Sequence, residues 1–425
     1  MISSRSKYMY HDTITLDMIK RFTMKLKSPS LQKHFDLKGK IEVISRSKIE
    51  SKEDLGLLYS PGVSEPCLEI EKDKSLAYTY TRKHNLIAVI SDGSAVLGLG
   101  NIGPEAAMPV MEGKAILFKR FADVDAFPIV LDTQDTEEII ETIVRISKSF
   151  GGINLEDISA PRCFEIEKRL KELLDIPVFH DDQHGTAIVL AAALVNSLKL
   201  SNKKMSNVKI VINGAGAAGI TIAKFLIEIG AKHIIVCDKN GILSSLDKTL
   251  PPHHQDIARL TNPNHLTGSL EDAIKNSDVF IGVSAPHIVS KDMIKSMNKN
   301  PLVFPMANPV GEISYNDAIE AGALVVGTGS SNYPNQINNL LAFPGVFRGV
   351  LDYRKKQITT EMMIQAAYHI AHCISDDELR YDYILPSPLD PKVHKAVSQA
   401  MNLENKSNLK ITPLKRYLTQ ISKFV

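Results

Sequence analysis

Short apolar runs alternate along most of this chain with longer stretches in which apolar positions recur every three or four residues. LIAVISDG (86–93) reads as a buried strand ending in a turn, and Pro104 to Phe121 as a helix with proline in its first turn. FPIVLDT (127–133) is a second strand. TEEIIETIVRISKSFGG then predicts a helix, with Thr136 placed to cap it, acids in its first turn and Gly151 beyond its end. INLEDISAP and IPVFHDD (176–182) read as strand ends separated by a helix from Pro161 to Leu174, and Gly185 to Leu200 is again helical. Alternation at this spacing implies a largely parallel sheet covered on both faces.

The polar segment NKKMSN (202–207) interrupts the pattern, and a second α/β series follows. Its strands are VKIVIN (208–213), HIIVCD (233–238), SDVFIGVS (277–284), PLVFPMAN (301–308) and ALVVGTG (323–329), and residues 361–373 and 392–402 look helical. Residues 1–30 read as a loosely specified leader with a helical patch. The expected fold class is α/β in three parts. These are a catalytic, metal-binding domain over 1–195, a Rossmann-type dinucleotide-binding domain over 196–365, and a helical segment over 366–425 that packs back on the first domain.

Composition narrows the function classes. With 425 residues, 44% of them hydrophobic, the chain can bury a core in each domain. A formal net charge of +2 gives no field suited to nucleic acid or a membrane surface. Cys67, Cys163, Cys237 and Cys373 form no C-x-x-C pair, as in a protein of a reducing compartment. No apolar run reaches the ~20 residues of a membrane span. Asp12 and Asp17 argue against a transit peptide, so the cytoplasm is expected.

Two clusters carry candidate chemistry. The strand VKIVI runs into Gly214-Ala215-Gly216-Ala217-Ala218-Gly219 and then a helix. This is G-x-G-x-x-G in strand–turn–helix context, where Gly214 permits the turn, Gly216 admits a pyrophosphate and Gly219 lets helix and strand close up. Asp238, at the end of the next strand, can accept hydrogen bonds from ribose hydroxyls and would repel a 2′-phosphate. NAD is therefore favoured, while Lys239 and Lys248 leave NADP open. The plainer alternatives are a ligand-free turn and a solvated aspartate.

The second cluster is Glu156-Asp157 with Asp181-Asp182, each pair at a strand end, where ligands of α/β sheets gather. Oxygen donors so collected suit Mg2+ or Mn2+. His180 and His184 flank the second pair, but a zinc site is the weaker reading and each histidine alone reads as structural. Lys114, on an apolar helix, could become a general base if burial and a cation lowered its pKa. Tyr59 sits in a proline- and glycine-fixed turn able to mount a proton donor. Composition alone favours structural roles for both.

Taken together, eight segments resemble the malic enzyme family, in its shorter, bacterial-type branch. They are IEVISRSKIESKEDLGLLYSPGVSEPCLEI, SDGSAVLGLGNIGPEAAMPVMEGKAILFKRFADVDAFPIVLDT, INLEDISAPRCFEIEKRL, VFHDDQHGTAIV, VINGAGAAGI, DVFIGVSAP, FPMANPVGEI and SNYPNQINNLLAFPGVFRGVLD. The resemblance implies oxidative decarboxylation of L-malate to pyruvate and CO2 with NAD(P) and a divalent metal, and with it oxaloacetate decarboxylation. It implies Tyr59 as general acid, Lys114 as general base, and Glu156, Asp157 and Asp182 as metal ligands. Asp181 is the alternative ligand or a neighbour that tunes Lys114. Asn308 would bind substrate near the nicotinamide, as would Asn338, with Asn339 able to share that role. A homodimer or larger homo-oligomer is also implied.

Three features depart from the family pattern. SDGSAVLGLG lacks the substrate-binding arginine of the longer branch, NPVGEI carries Gly311 in place of a second proline, and the leader and tail match nothing in the pattern. Two other readings compete: an amino-acid dehydrogenase-like enzyme and a non-catalytic NAD(P)-binding regulatory relative. The metal cluster argues against the former and intact Tyr59 and Lys114 against the latter.

Overall fold

The computed structural model describes residues 28–96 and 98–403. Most of the leader, including most of its expected helical patch, and the tail from 404 lie outside the described residues. The chain divides into two compact units, Met1–Arg46 and Ser47–Val425. In the first, helix α1 (Pro29–Leu37) is capped by Ser28, whose side chain accepts the Leu31 N–H at 3.2 Å.

The second unit opens with α2 (Lys52–Leu58) and α3 (Ser64–Lys72), neither of which has a buried residue. The first sheet follows: β1 (Leu86–Ser91), α4 (Pro104–Ala122), β2 (Asp125–Val130), α5 (Thr136–Ile146), β3 (Gly152–Leu155), α6 (Arg162–Leu173) and β4 (Val178–His180). Its four strands are parallel in the order β2-β1-β3-β4. The cap of α5 is Asp135, not Thr136: the Asp135 carboxylate accepts the Glu138 N–H at 3.0 Å. A carboxylate also suits the positive end of the helix better than a hydroxyl.

Helix α7 (Asp181–Ser201) leads to the second sheet: β5 (Lys209–Asn213), α8 (Ala217–Glu228), β6 (His233–Asp238), β7 (Gly241–Ile242), α9 (Pro252–Thr261), β8 (Val279–Gly282), β9 (Leu302–Pro305) and β10 (Val325–Val326). The order is β10-β9-β8-β5-β6-β7, parallel except for the antiparallel edge pair β6–β7. The described residues end in α10 (Phe343–Asp352), α11 (Thr360–Ala371) and α12 (Pro391–Ala400).

Helix α7 starts four residues earlier than its apolar run suggests, at Asp181. By length and composition it could cross a membrane, yet most of its apolar window is buried inside the protein, with α8 and α11 packed against it. Asn196, in its last third, donates to the backbone carbonyls of Ala371 and Ile384 at 2.9 and 3.0 Å, which ties α11 and the loop after it to α7. One continuous core includes Ile87 and Phe179 of the first sheet and Ile212 and Phe304 of the second. Edge-to-face contacts link Phe118 to Phe343 (4.7 Å) and Phe347 (5.3 Å), each worth about 0.5–1.5 kcal/mol beyond area burial. Phe118 stands one turn beyond Lys114 on the buried stripe of α4, so this aromatic cluster fixes the face that carries the lysine. Helix α12 packs on α10 and α11, and its His394 ring lies 4.8 Å from that of Phe121 in α4.

Candidate active site

Strand register brings the carboxylates together. Leu155 pairs with Ile90 on one side and His180 on the other, so the residues just past the strand ends are Glu156 and Asp181. The Glu156 N–H donates to the Ile90 carbonyl at 2.9 Å and extends the ladder by one bond. Asp181 and Asp182 do not end the strand, as the run IPVFHDD suggests, but lie in the first turn of α7. Unpaired N–H groups there favour negative charge. Asp157 turns the chain with φ 54, a left-handed conformation that costs a non-glycine residue about 1–2 kcal/mol. In that turn its N–H donates to Asp182 Oδ2 at 2.9 Å.

Glu156, Asp157 and Asp182 each offer an oxygen, and these atoms lie within 4.8 Å of one another. Three carboxylates so close repel one another, and a hard divalent cation is the charge that satisfies them, so this donor set fits Mg2+ or Mn2+. Lys114 stands beside them, 7% exposed. Its ammonium donates to Asp181 Oδ2 at 2.6 Å, pairs with Glu156 Oε1 at 2.8 Å and lies 4.3 Å from the centre of the Phe343 ring. Burial alone would lower its pKa, but the Asp181 and Glu156 charges outweigh burial and raise it. That is the reverse of the lowering expected from burial. Burial pushes both Glu156 and Asp181 up to about 7, against the pull of Lys114. Burial and the Asp181 charge also raise Asp182. Asp181 is thus the lysine's partner rather than one of the three clustered donors.

Several neighbours were not legible in the sequence. Asn154 donates to Glu156 Oε2 at 2.9 Å. Arg162 pairs with Asp92 at 2.8 Å and donates to Ser94 Oγ at 3.0 Å, pinning the S-D-G-S turn beside the carboxylates. A strand-end acid with an arginine just past the metal motif was the available signal. His184 is a partnered core histidine, its Nε2 2.8 Å from Glu167 Oε1. His180 is fully buried, with Nδ1 3.8 Å from Asp182 Oδ2.

Tyr59 is not part of this cluster. It caps the end of α2 with its ring 67% exposed, and no hydrogen bond joins it to the carboxylates among the described residues. Asn338 caps the short helix Asn339–Leu341, its Oδ1 accepting the Leu340 N–H at 2.9 Å. Asn339 lies nearer the carboxylates: a Cβ added to Gly185 would collide with Asp181 Oδ1 and come within 2.9 Å of the Asn339 Cβ. Asn308 is exposed, and the main chain of Gly98, in the LGLG segment, packs against its carbonyl oxygen.

The second sheet reverses strand order at β5, which has β6 on one side and β8 on the other. A cavity of about 700 Å3 opens there, lined among others by Gly214, Gly216, Asp238, His254 and Ser284. Such a switch point is where doubly wound sheets bind dinucleotides. Gly214 has φ 118, and a Cβ on Gly219 would collide with the Gly214 carbonyl oxygen. Around Gly216, the cap of α8, there is room for a Cβ and more. Ala217 and Ala218 form the first turn of that helix. One Asp238 oxygen accepts the Asn240 N–H at 2.7 Å, and the other lies 3.9 Å from His254 Nδ1. Lys239 lines the cavity, while Lys248 turns to the Ser245 carbonyl at 3.4 Å. These features fit a dinucleotide. Ala160, three residues after Asp157, lines the same cavity, so the two candidate sites adjoin.

Comparison with known proteins agrees. The model of the malic enzyme N-terminal domain matches residues 38–171, and that of the malic enzyme NAD-binding domain matches residues 183–403. The chain is 54% identical over 379 residues to a bifunctional malic/malolactic enzyme of Bacillus subtilis, covering 89% of this chain and 92% of the relative. It is 55% identical over 363 residues to an NAD-dependent malic enzyme of Geobacillus stearothermophilus, covering 85% and 76%. The crystal structure of an NAD-dependent malic enzyme from Thermotoga maritima superposes with a TM-score of 0.85 at 49% identity, covering 88% of this chain and 99% of that one.

Proposed function

The chain belongs to the malic enzyme family, and from that premise we propose how its residues convert L-malate to pyruvate and CO2. It is an oxidoreductase that decarboxylates malate oxidatively with a nicotinamide dinucleotide, NAD being preferred. One observation carries the residue assignments: a buried lysine, clustered carboxylates and a dinucleotide crevice adjoin through the Asp157–Ala160 loop.

Glu156, Asp157 and Asp182 hold the divalent cation, with Asp181 behind Lys114. When bound, the cation supplies polarisation of the malate C2 oxygen, and the nicotinamide supplies a hydride acceptor. Asn308 and Asn338 orient the substrate. Lys114 acts as the base in its neutral form, which a cation held by Glu156 favours by offsetting the carboxylate charge that otherwise keeps the ammonium, and so takes the proton of the C2 hydroxyl as hydride leaves C2. The resulting β-keto acid loses CO2, and the same site accepts oxaloacetate directly. Tyr59 returns a proton to C3 of the enolate, giving pyruvate. On the cofactor side, Gly214, Gly216 and Gly219, with Ala217 and Ala218, cradle the pyrophosphate, and Asp238 takes the adenosine ribose.

The chain acts as a homodimer or larger homo-oligomer in the cytoplasm. Exposed Leu57, Leu58, Tyr59 and Leu68 on α2 and α3 support the assembly, since such apolar patches mark interaction surfaces. The three-part division at 195 and 365 places both boundaries inside helices, the first in α7 and the second in α11.

Nicotinamide absorbance, followed with malate, Mn2+ and NAD or NADP in parallel, tests the assignment. Activity should vanish with excess chelator, return with Mn2+ or Mg2+, and favour NAD. Full turnover in chelator by a metal-free protein would remove the carboxylates from the mechanism.

A further inference from the structure

Glu312 is a fully buried acid that the reaction outlined above does not use. It follows β9 in the segment NPVGEI and reaches back under the end of β8. Its Oε1 accepts the Ser284 N–H at 2.7 Å and the Ser284 hydroxyl at 3.0 Å, and its Oε2 accepts the Ala307 N–H at 3.2 Å. The Ser284 oxygen in turn accepts from Asn213 Nδ2 at 2.7 Å. One carboxylate therefore joins the ends of β5, β8 and β9, and Asn213 and Ser284 line the dinucleotide cavity.

The fold makes room for this group at a cost. Gly282 leaves no space for a side chain, because a Cβ there would collide with the Glu312 carboxyl. The main chain supports it from the far side: the Val289 N–H donates to the Glu312 carbonyl at 3.0 Å and His287 N–H to the Gly311 carbonyl at 3.2 Å. Gly311 is itself confined, with the carbonyls of Pro305 and Ile313 each 3.1 Å from where its Cβ would lie. A buried carboxyl left without donors would be strongly destabilising. Here two of the three donors belong to Ser284, which lines the cofactor crevice, and the third is the N–H of Ala307, which immediately precedes Asn308.

Sheet order says which half of the cofactor this rim faces. The glycine turn follows β5, and Asp238 ends β6, so the adenosine half lies over β6. The other half of a dinucleotide then extends over β8 and β9, on the opposite side of β5. That is the side Glu312 braces.

We propose that Glu312 is a positioning residue for the nicotinamide half of the cofactor, holding the Ser284 rim and the Ala307–Asn308 backbone in one fixed arrangement. The proposal rests on the dinucleotide reading of the crevice and adds to it a residue that touches neither cofactor nor substrate.

The test compares two ligands by calorimetry, without metal or malate. ADP-ribose carries only the adenosine half with its pyrophosphate and second ribose, whereas NADH adds the nicotinamide. Glu312→Gln keeps the shape but presents an amide NH2 to N–H donors. NADH should bind about tenfold or more weakly to this variant, as expected for hydrogen bonds lost to a charged group, while ADP-ribose affinity stays within about twofold. In turnover, kcat should fall together with a rise in the KM for malate, because Asn308 shifts with the Ala307 backbone. Gly282→Ala crowds the same carboxyl from the other side without removing it, and should reproduce the split between the two ligands. It also keeps the test open if Glu312→Gln does not fold. Equal changes for both ligands, or none in a variant with a normal melt, would overturn the proposal. Failure of the cofactor reading is distinguishable, since wild-type protein would then bind neither ligand.

Discussion

At the edge of the first sheet, five ionisable side chains crowd together, four of them carboxylates and one an ammonium. At the same edge of the second sheet, the main chain does most of the binding: a glycine turn, a helix N-terminus and one aspartate. The two ends differ in how they are assembled. Lys114 and Asp181 are 67 residues apart and meet only when α4 and α7 have both packed. The glycine turn is complete within six consecutive residues and the strand and helix that flank it. A charged site held by distant elements should lose stability along with chemistry when one member is removed. A backbone site should lose binding while its neighbour survives.

The largest break should come at Lys114. Lys114→Ala removes the proposed base and leaves Asp181 and Glu156 buried without their cation. Malate oxidation should fall ~10²–10⁴-fold. Stability should drop by about 3–5 kcal/mol, the usual result of stripping one partner from a buried pair. Kinetics and thermal melts together check this, and a folded, cofactor-binding variant with near-wild-type kcat would end the assignment. Tyr59→Phe offers the contrast. Its ring is largely exposed and bonded to nothing in the cluster, so the melt should barely move. If Tyr59 supplies the final proton, turnover should still fall by ~10² or more with cofactor affinity intact. Unchanged kcat would remove it from the mechanism.

Gly219→Ala probes the other end. A Cβ there would collide with the Gly214 carbonyl oxygen, so the turn must open by more than about 1 Å to reach ordinary contact. Overpacking of this kind costs about 1–3 kcal/mol. NADH affinity, read by fluorescence, should weaken ~10–100-fold. Mn2+ binding, read by paramagnetic resonance, should be unchanged, because no carboxylate depends on that turn. Parallel loss of both would show that the two ends are one cooperative site.

The same contrast explains what was legible in the sequence. The second sheet's strands and its glycine turn lie where the apolar runs and the G-x-G-x-x-G spacing put them, since each is a local pattern. Only β7, a two-residue edge strand, escaped notice, being too short to carry a period. In the first part the strands were legible, but the bond between Lys114 and Asp181 was not, because no periodicity relates two elements so far apart. The start of α7 was misplaced for a related reason. Asp181 and Asp182 read as the end of the strand IPVFHDD, while their actual place in the first helical turn is favoured by the helix's positive end. Tyr59 shows the limit of motif reasoning: its segment was recognisable, yet nothing local says what its exposed ring will face.

The smallest effect should come from a residue that braces the charged end without joining it. Glu167 of α6 is buried and accepts from His184 in the first turn of α7, at 2.8 Å, and from Lys171, also at 2.8 Å. It thereby fastens α6, which follows Asp157, to the helix that carries Asp181 and Asp182. Burial alone would raise its carboxyl, but the charges of His184 and Lys171 outweigh burial and hold it well below the usual range. A carboxyl depressed in the folded state contributes stability above its unfolded pKa of ~4.3, and that contribution is lost as pH falls below it. Glu167→Gln keeps one acceptor and loses the charge. At neutral pH it should cost about 1 kcal/mol, roughly the difference between charged and neutral hydrogen bonds. The gap between wild-type and variant melting temperatures should narrow steadily as pH drops below about 4, because the unfolded wild-type chain then takes up a proton that the folded carboxylate still refuses. Malate turnover at neutral pH should change little, since the carboxylates and Lys114 keep their own partners. A gap that stays constant from pH 7 to pH 3 would show that Glu167 acts by shape alone. A large loss of turnover in a stably folded variant would place it inside the reacting cluster rather than behind it.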